Sequence, residues 1–217
     1  MRPMRWKKRC CSSPTMAAFK SWSSTIVTSS QTNHAPRTRE TILSAAIRLF
    51  QQFGFSGLGM RQIADNLGIK APSLYHHFAS KEDLAQYAMQ QYRAEQAARL
   101  QAIAAAVNLT VAEQLLEYAE LFAQMLGDGR RPCLYLMMVK EPSFQENACL
   151  EELRLFVAQN VDWLERISRG ERELAELIFA SFEGMMAVSL VEKDPQIAFR
   201  KRANNFLKIV SVQEKTG

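Results

Sequence analysis

Hydrophobic positions fall into a helical rhythm just after residue 37 and keep it nearly to the end of the chain. In "TRETILSAAIRLFQQFGF", Ile42, Ala46, Leu49, Phe50 and Phe53 stand at i, i+4, i+7, i+8 and i+11, one stripe of a helix that Gly54 stops. After the glycine-broken link "GFSGLG", the segment "MRQIADNLG" sets Ile63 and Leu67 four apart and ends at Gly68, suited to a left-handed C-cap. A third short helix begins near Ala71 with Pro72 in its first turn, where a missing N–H costs nothing. Ser80 with Asp83 predicts the N-cap of a fourth helix through "KEDLAQYAMQQYRAEQAARLQAIAAA".

Further along, Thr110 and Glu113 form a capping box for "VAEQLLEYAELFAQML", which "GDG" ends. Pro132 starts the next helix, "CLYLMMVKE", and Ser143 with Glu146 caps a longer one through Trp163 to Ile167. A segment from Glu171 to Glu192 follows, and Asp194-Pro195 opens the last helix. No run alternates as a strand would, so the fold class expected is all-α: three short helices, then six more. Leu174 to Leu190 is apolar around most of its circumference, with Ala180, Ser181, Gly184 and Ala187 interspersed. A helix buried on one side only would show a polar face. This one is expected to face its own core on one side and a partner subunit on the other. Phe199, Ala203, Phe206, Leu207 and Val210 form a single stripe on the last helix. The two helices together predict a four-helix homodimer interface through residues 171–212.

Composition adds limits. With 47% apolar residues in 217, the chain can bury a real core, and only 9 Gly and 7 Pro interrupt it. The net charge of +5 is unevenly placed. Residues 1–39 hold eight Lys/Arg and no acid, leaving 19 basic against 22 acidic side chains in the remaining 178 residues. Residues 1–36 are Ser-rich, basic and aperiodic, and are expected to be a disordered extension. Three readings stand for them: a coding start assigned too early, with Met16 a candidate start, a basic arm for nucleic acid, or an organelle transit peptide. Cys10, Cys11, Cys133 and Cys149 have neither the density nor the spacing of a disulfide scaffold or a zinc site, which suggests a reducing cytoplasm. No stretch reaches the roughly eighteen apolar residues that span a bilayer, so no membrane partner is expected.

The chemistry concentrates in "IKAPSLYHHFASKEDL", where Tyr75, His76, His77 and Phe78 lie between Lys70 and Lys81 with no acid from Asn66 to Lys81. With about 100° per residue, placing Leu74 inward brings Phe78 beside it. Pro72 and His76 then sit nearly opposite, flanked by Ser73 and Tyr75. A carboxylate-free face of hydroxyls and imidazole, behind a two-turn helix and a tight glycine turn, is the layout of a helix-turn-helix that enters a major groove. Acids there would be repelled by phosphate. Catalytic readings find nothing comparable. Adjacent His76 and His77 point in different directions and cannot chelate one metal as an i, i+4 pair does. Leu58 occupies the final glycine position of a G-x-S-x-G elbow, and phosphate-loop, dinucleotide and H-E-x-x-H motifs are absent, so neither enzyme activity nor a cofactor is expected.

The stretch "TRETILSAAIRLFQQFGFSGLGMRQIADNLGIKAPSLYHHFASKEDL" resembles the DNA-binding domain of the TetR family of transcriptional regulators, with "A..LF...GF", "IA...G", "LY.HF" and "SKE.L" in order. Gly59-Met60 stands where members often place a Thr or Ser cap. The resemblance implies a DNA-binding domain over 37–82 and a helical effector-binding and dimerisation domain over 83–217. It implies a double-stranded operator, palindromic for a two-fold dimer, and repression as the mode of action. Carried onto this chain, it implies that Lys70, Tyr75, His76 and Lys81 touch phosphates or bases and that Ala71, Pro72 and Ser73 approach base edges. Thr38 and Arg61 would be backbone contacts, whereas His77 is expected to pack or cap.

A regulator of this kind needs a cavity for a small organic effector. The candidates are Tyr118, Phe122, Met125, Cys133, Tyr135, Met137, Met138, Phe156, Trp163 and Met186, methionines and aromatics suited to an adaptable apolar pocket. Cys133 follows Arg130, Arg131 and Pro132 at a helix start, where positive charge lowers a thiol pKa; two readings stand, a small buried apolar residue and a redox or electrophile sensor. The reading from another class is a helical protein–protein interaction module that uses residues 69–84 as an aromatic patch.

Overall fold

The computed structural model describes residues 38–144 and 148–213. The expected disordered extension over 1–36 lies outside them. Among the described residues there are nine α-helices, one 3-10 turn and no strand: α1 (Arg39–Phe53), α2 (Met60–Leu67), α3 (Ala71–His77), α4 (Lys81–Ala104), α5 (Val111–Gly127), α6 (Leu134–Met138), the turn Pro142–Phe144, α7 (Ala148–Ile167), α8 (Arg172–Ser189) and α9 (Pro195–Gln213).

Local chemistry sets most of the boundaries. Ser80 accepts from the Asp83 amide at 3.1 Å while Asp83 accepts from Ala79 N at 2.9 Å, which starts α4. The Thr110–Glu113 box is formed, with the Glu113 amide at 3.3 Å from the Thr110 hydroxyl and the Thr110 amide at 3.0 Å from the Glu113 carboxylate. Gly68 takes φ +65° and ψ +31°, where a side chain would be strained, and closes α2 by donating to Ala64 O and Asp65 O. At α2's start Gly59 has no side chain to cap with; the Gln62 side chain instead accepts from the Gly59 amide at 2.7 Å.

Three expectations change. Phe53, in phase with the α1 stripe, is exposed, because the chain reverses at Gly54 (φ +71°) and sends Phe55 into the core. There Phe55 meets Phe50 at 6.0 Å and Phe144 at 4.5 Å between centroids. Only Leu134–Met138 of "CLYLMMVKE" is α-helical, and α7 starts at Ala148 after the 3-10 turn. Glu146, the other half of the cap expected with Ser143, lies outside the described residues.

Helix α4 is shared between the three-helix head and the rest of the chain. Its first half buries Leu84, Ala85 and Ala88 and packs on α1; its second half buries Gln96, Leu100 and Ile103 and packs on α7 and α5. Trp163 Nε1 of α7 donates to Leu100 O at 3.0 Å, and Arg93 pairs with Glu152 at 3.2 Å. Arg200 of α9 grips Glu120 of α5 through two nitrogens, at 3.0 and 2.5 Å.

Inside this body lies Glu183 of α8, buried among aromatic and sulfur-bearing side chains. Neither of its oxygens has a hydrogen-bonding nitrogen or oxygen partner among the described residues. The Cys133 thiol, a weak donor, is its polar neighbour, and burial pushes the Glu183 carboxyl up to about 7. A raised folded pKa means that the folded state holds the proton in a window where the unfolded chain has released it. Stability from this group is therefore full below about pH 4.5 and is lost as pH rises through about 7, by about 3 kcal/mol. The difference in urea-unfolding free energy between wild type and Glu183→Gln should grow in the variant's favour from pH 5 to pH 8. Parallel pH curves would contradict the assignment.

Candidate nucleic-acid interface

Helix α3 is anchored by one fully buried residue, Leu74, and by Phe78 just past its end. That anchoring leaves Pro72, Ser73, Tyr75 and His76 exposed on one face, with Lys70 exposed at the N-cap. Tyr75 is 52% exposed, an unusual position for a large aromatic with no structural partner to earn it. The face carries hydroxyl, imidazole and ammonium donors and no carboxylate. Helix α2 crosses behind it through the Gly68 turn, with Arg61 exposed in its first turn. His77 is half-buried, 6.3 Å from the Phe78 ring and 5.5 Å from His76 between centroids.

Other expected contacts are placed differently. Lys81 turns inward: its ammonium donates to Leu58 O at 2.9 Å and Phe55 O at 3.2 Å and sits 3.9 Å from the Phe55 ring centroid. Those carbonyls in the α1–α2 link lack helical partners, and Lys81 satisfies them, which takes it away from phosphate. Ala71 is half-buried against the core. Thr38 caps α1, accepting from the Thr41 amide at 3.4 Å while its carbonyl takes the Thr41 hydroxyl at 2.8 Å. Sequence reasoning missed Arg39, whose guanidinium lies 3.8 Å from the Tyr87 ring centroid and 5.0 Å from that of Phe78, fixing the head on α4. An arginine whose aromatic partners lie some forty to fifty residues further along the chain leaves no local signal.

Several of the ten candidate pocket residues pack against one another. Tyr118 stacks on Trp163 at 5.3 Å and meets Phe122 at 5.2 Å, while Tyr135 stacks on Phe156 at 5.7 Å. Between these groups, the Tyr92 hydroxyl reaches Met125 Sδ at 3.0 Å and Cys133 Sγ at 3.5 Å, and the Cys133 amide donates to Met186 Sδ at 2.9 Å. Met138 is buried and Met137 half-buried on α6. A surface depression of about 650 Å³ between α4 and α7 is bordered instead by Arg93, Leu155, Gln159, Asp162, Glu165 and Arg166, none of the ten.

The surroundings of Cys133 match the buried reading and oppose the sensor. It is almost fully buried, and desolvation, reinforced by the nearby Glu183, drives its thiol pKa well above the ordinary value. Arg130 turns away to the carbonyls of Glu192 and Lys193, and Arg131 pairs with Asp128. The residue is a protonated core thiol, and the positive charge meant to activate it is spent elsewhere. Glu183, the acid that dominates this region, was overlooked within an apolar run. Its position between Phe179, Phe182 and Met186, on the stripe that α8 buries, was readable.

Lys81→Met should lower the unfolding free energy by about 1–3 kcal/mol, since Leu58 O loses its donor and Phe55 O keeps only the Leu58 amide, whereas Lys70→Met at the exposed N-cap should change it by less than about 0.5 kcal/mol. Urea titration of both variants checks this, and equal effects would contradict the inward placement of Lys81.

Residues 42–88 match the family model described as bacterial regulatory proteins, tetR family. The HTH-type transcriptional regulator LmrA of Bacillus subtilis is 53% identical over 49 residues, 22% of this chain and 26% of that protein. The HTH-type transcriptional repressor KstR2 of Mycobacterium tuberculosis is 46% identical over 46 residues, 21% of this chain and 23% of that protein. The matched stretch thus spans about a quarter of the length of these curated relatives. The fold likeness reaches further: the crystal structure of a TetR-family transcriptional regulator from Agrobacterium tumefaciens superposes with a TM-score of 0.71 at 25% identity, over 78% of this chain and 95% of that one. The sequence match marks residues 42–88 as a DNA-binding domain of the tetR family of bacterial regulatory proteins, and the structural match extends the likeness to such regulators through the helical body.

Proposed function

We propose that this protein is a DNA-binding transcriptional repressor that grips a palindromic operator as a homodimer and releases it when a small organic effector enters the helical body. The observation that carries the reading is the exposed, carboxylate-free face of α3, with Lys70, Pro72, Ser73, Tyr75 and His76 presented together. Lysine and hydroxyl donors would hold phosphates while the helix reads base edges. Such a role belongs in the cytoplasm with the DNA, and no helix among the described residues is long and apolar enough to cross a membrane.

Dimerisation is supported by an apolar surface on the last two helices. On α8, Leu177 is 55% exposed, with Ala180, Gly184, Ala187 and Val188 exposed beside or beyond it; on α9, Ile197 is 62% exposed and Ile209 is exposed too. The opposite side of α8 buries Ala175, Ile178, Phe182 and Met186, so this helix has two apolar sides. The Phe199, Ala203, Leu207 stripe of α9, by contrast, is spent on the protein's own core.

Release would travel through two contacts between body and head. Gln51 of α1 donates to Pro132 O at 2.9 Å, next to Cys133, and Ser56 donates to Glu141 Oε2 at 2.6 Å. An effector need prefer the released form by only a few kcal/mol to change occupancy greatly. The protonated, buried Cys133 argues against a thiol-driven route.

Fluorescence anisotropy on DNA selected by the protein from genomic fragments tests the reading. Affinity should fall by at least about tenfold between about 50 and about 200 mM salt, and Tyr75→Ala/His76→Ala should lose the preference over random DNA. Salt-independent binding, or none, would favour the protein-interaction module instead. Leu177→Glu/Val188→Glu should sediment as a monomer and bind a full operator at least about tenfold more weakly; an unchanged dimer would remove α8 from the interface.

A further inference from the structure

We infer that the interior around Glu183 is a binding site for an ammonium group carried on an apolar or aromatic body. This rests on the effector-regulated reading above and names the chemistry of its ligand.

Four buried side-chain oxygens lack a nitrogen or oxygen hydrogen-bond partner among the described residues: both of Glu183, which has only the weak Cys133 thiol beside it, Gln96 Oε1 and Gln124 Oε1. All four are acceptors. A core with surplus acceptors and no surplus donor is unbalanced in one direction, and buried polar groups left so are costly. The imbalance includes charge, since no salt bridge among the described residues involves Glu183. Arg99, which acts on the nearby Tyr92 hydroxyl, is drawn to Glu95 at 4.0 Å. A ligand that restores balance must bring N–H donors and positive charge together, as a protonated primary or secondary amine does.

The surroundings suit the rest of such a molecule. Tyr92, Tyr118 and Tyr135, from three helices, have hydroxyl pKa values raised by burial first and by the nearby Glu183 charge as well. Phe156 lies 5.5 Å from Tyr92 and 5.7 Å from Tyr135 between centroids, so two of these tyrosines share one aromatic cluster. Aromatic faces attract a cation, and a desolvated carboxylate beside them adds a charged anchor. The polar chain continues inward, with Tyr118 and Gln96 both donating to Asn160 Oδ1, at 3.0 and 3.3 Å. Space comes from unbranched, adaptable side chains: Met125 and Met186 touch the Tyr92–Cys133 pair, and Tyr135 and Met125 are only half-buried, which gives a way in. The site is also next to the head. Cys133 adjoins Glu183 and follows Pro132, whose carbonyl holds Gln51 of α1, so a ligand that displaces Cys133 moves the contact through which release would pass.

Isothermal titration of the full chain with 3-phenylpropylammonium, 3-phenylpropanol and 3-phenylpropanoate at pH 8 tests the site. The ammonium compound should bind roughly tenfold tighter than the alcohol, and the carboxylate should not bind measurably. Glu183→Gln should erase the difference between ammonium and alcohol, and Glu183→Asp should keep part of it, while the Glu95→Gln control leaves it intact. Equal binding of ammonium and alcohol, no binding of the ammonium, or an unchanged preference in Glu183→Gln would each overturn the inference. A parallel anisotropy assay separates the two readings: selected DNA bound but no ammonium taken up sinks this site alone, and ammonium taken up with no preference for any DNA sinks the repressor reading alone.

Discussion

The packing of α1 on α4 is the constraint on which everything else in the protein hangs. Ala46, Ala85 and Ala88 are completely buried where these helices meet, and their small side chains let the two backbones come close. A larger residue at any of them would have to push the helices apart or displace its neighbours. Because α4 continues for 24 residues, about 36 Å, into the body, whatever is fixed at this contact is fixed for both halves. Arg39 over Tyr87, Gln91 on Ser44 at 2.8 Å and Lys81 on the α1–α2 link hold the same joint from its edges. The exposed face of α3 is thereby presented on a head packed firmly against α4.

The body departs from ordinary packing in a specific way. Most of it is aromatic and aliphatic, with rings meeting edge-on or stacked from Tyr118 through Phe182 to Phe199. Into this apolar volume the chain sets a carboxylate with no cation. A sequence optimised for stability alone would place Leu or Met there, and deviations of that kind concentrate where a protein has something to bind. The buried acid also explains the inert Cys133. Desolvation and a neighbouring negative charge act in the same direction on a thiol, and together they outweigh whatever a helix start and two arginines could offer.

What the sequence disclosed follows from the range of each interaction. Caps and glycine stops act over three or four residues, so Ser80, Thr110, Gly68 and Pro195 marked their helix ends in advance. The helix-turn-helix could be read because its motif is short and Leu74 alone decides which face of α3 looks outward. Phe53 failed because the chain reversal at Gly54 leaves the last turn of α1 uncovered. Lys81 failed because its partners, Phe55 and Leu58, lie more than twenty residues back. The pocket candidates were chosen by residue type, whereas the buried Glu183 stands among residues from α4, α5 and α6 as well as its own α8. No window on one helix contains that information.

The central claim is that α3 reads a major groove, and methylation interference on the selected DNA tests it directly. Methyl groups at guanine N7 project into the major groove, and those at adenine N3 into the minor groove. The account predicts that N7 methylation at two symmetric clusters, about one helical turn or a multiple of it apart, prevents binding, while N3 methylation within those clusters does not. Interference confined to adenine N3, or spread evenly along the fragment, would contradict it.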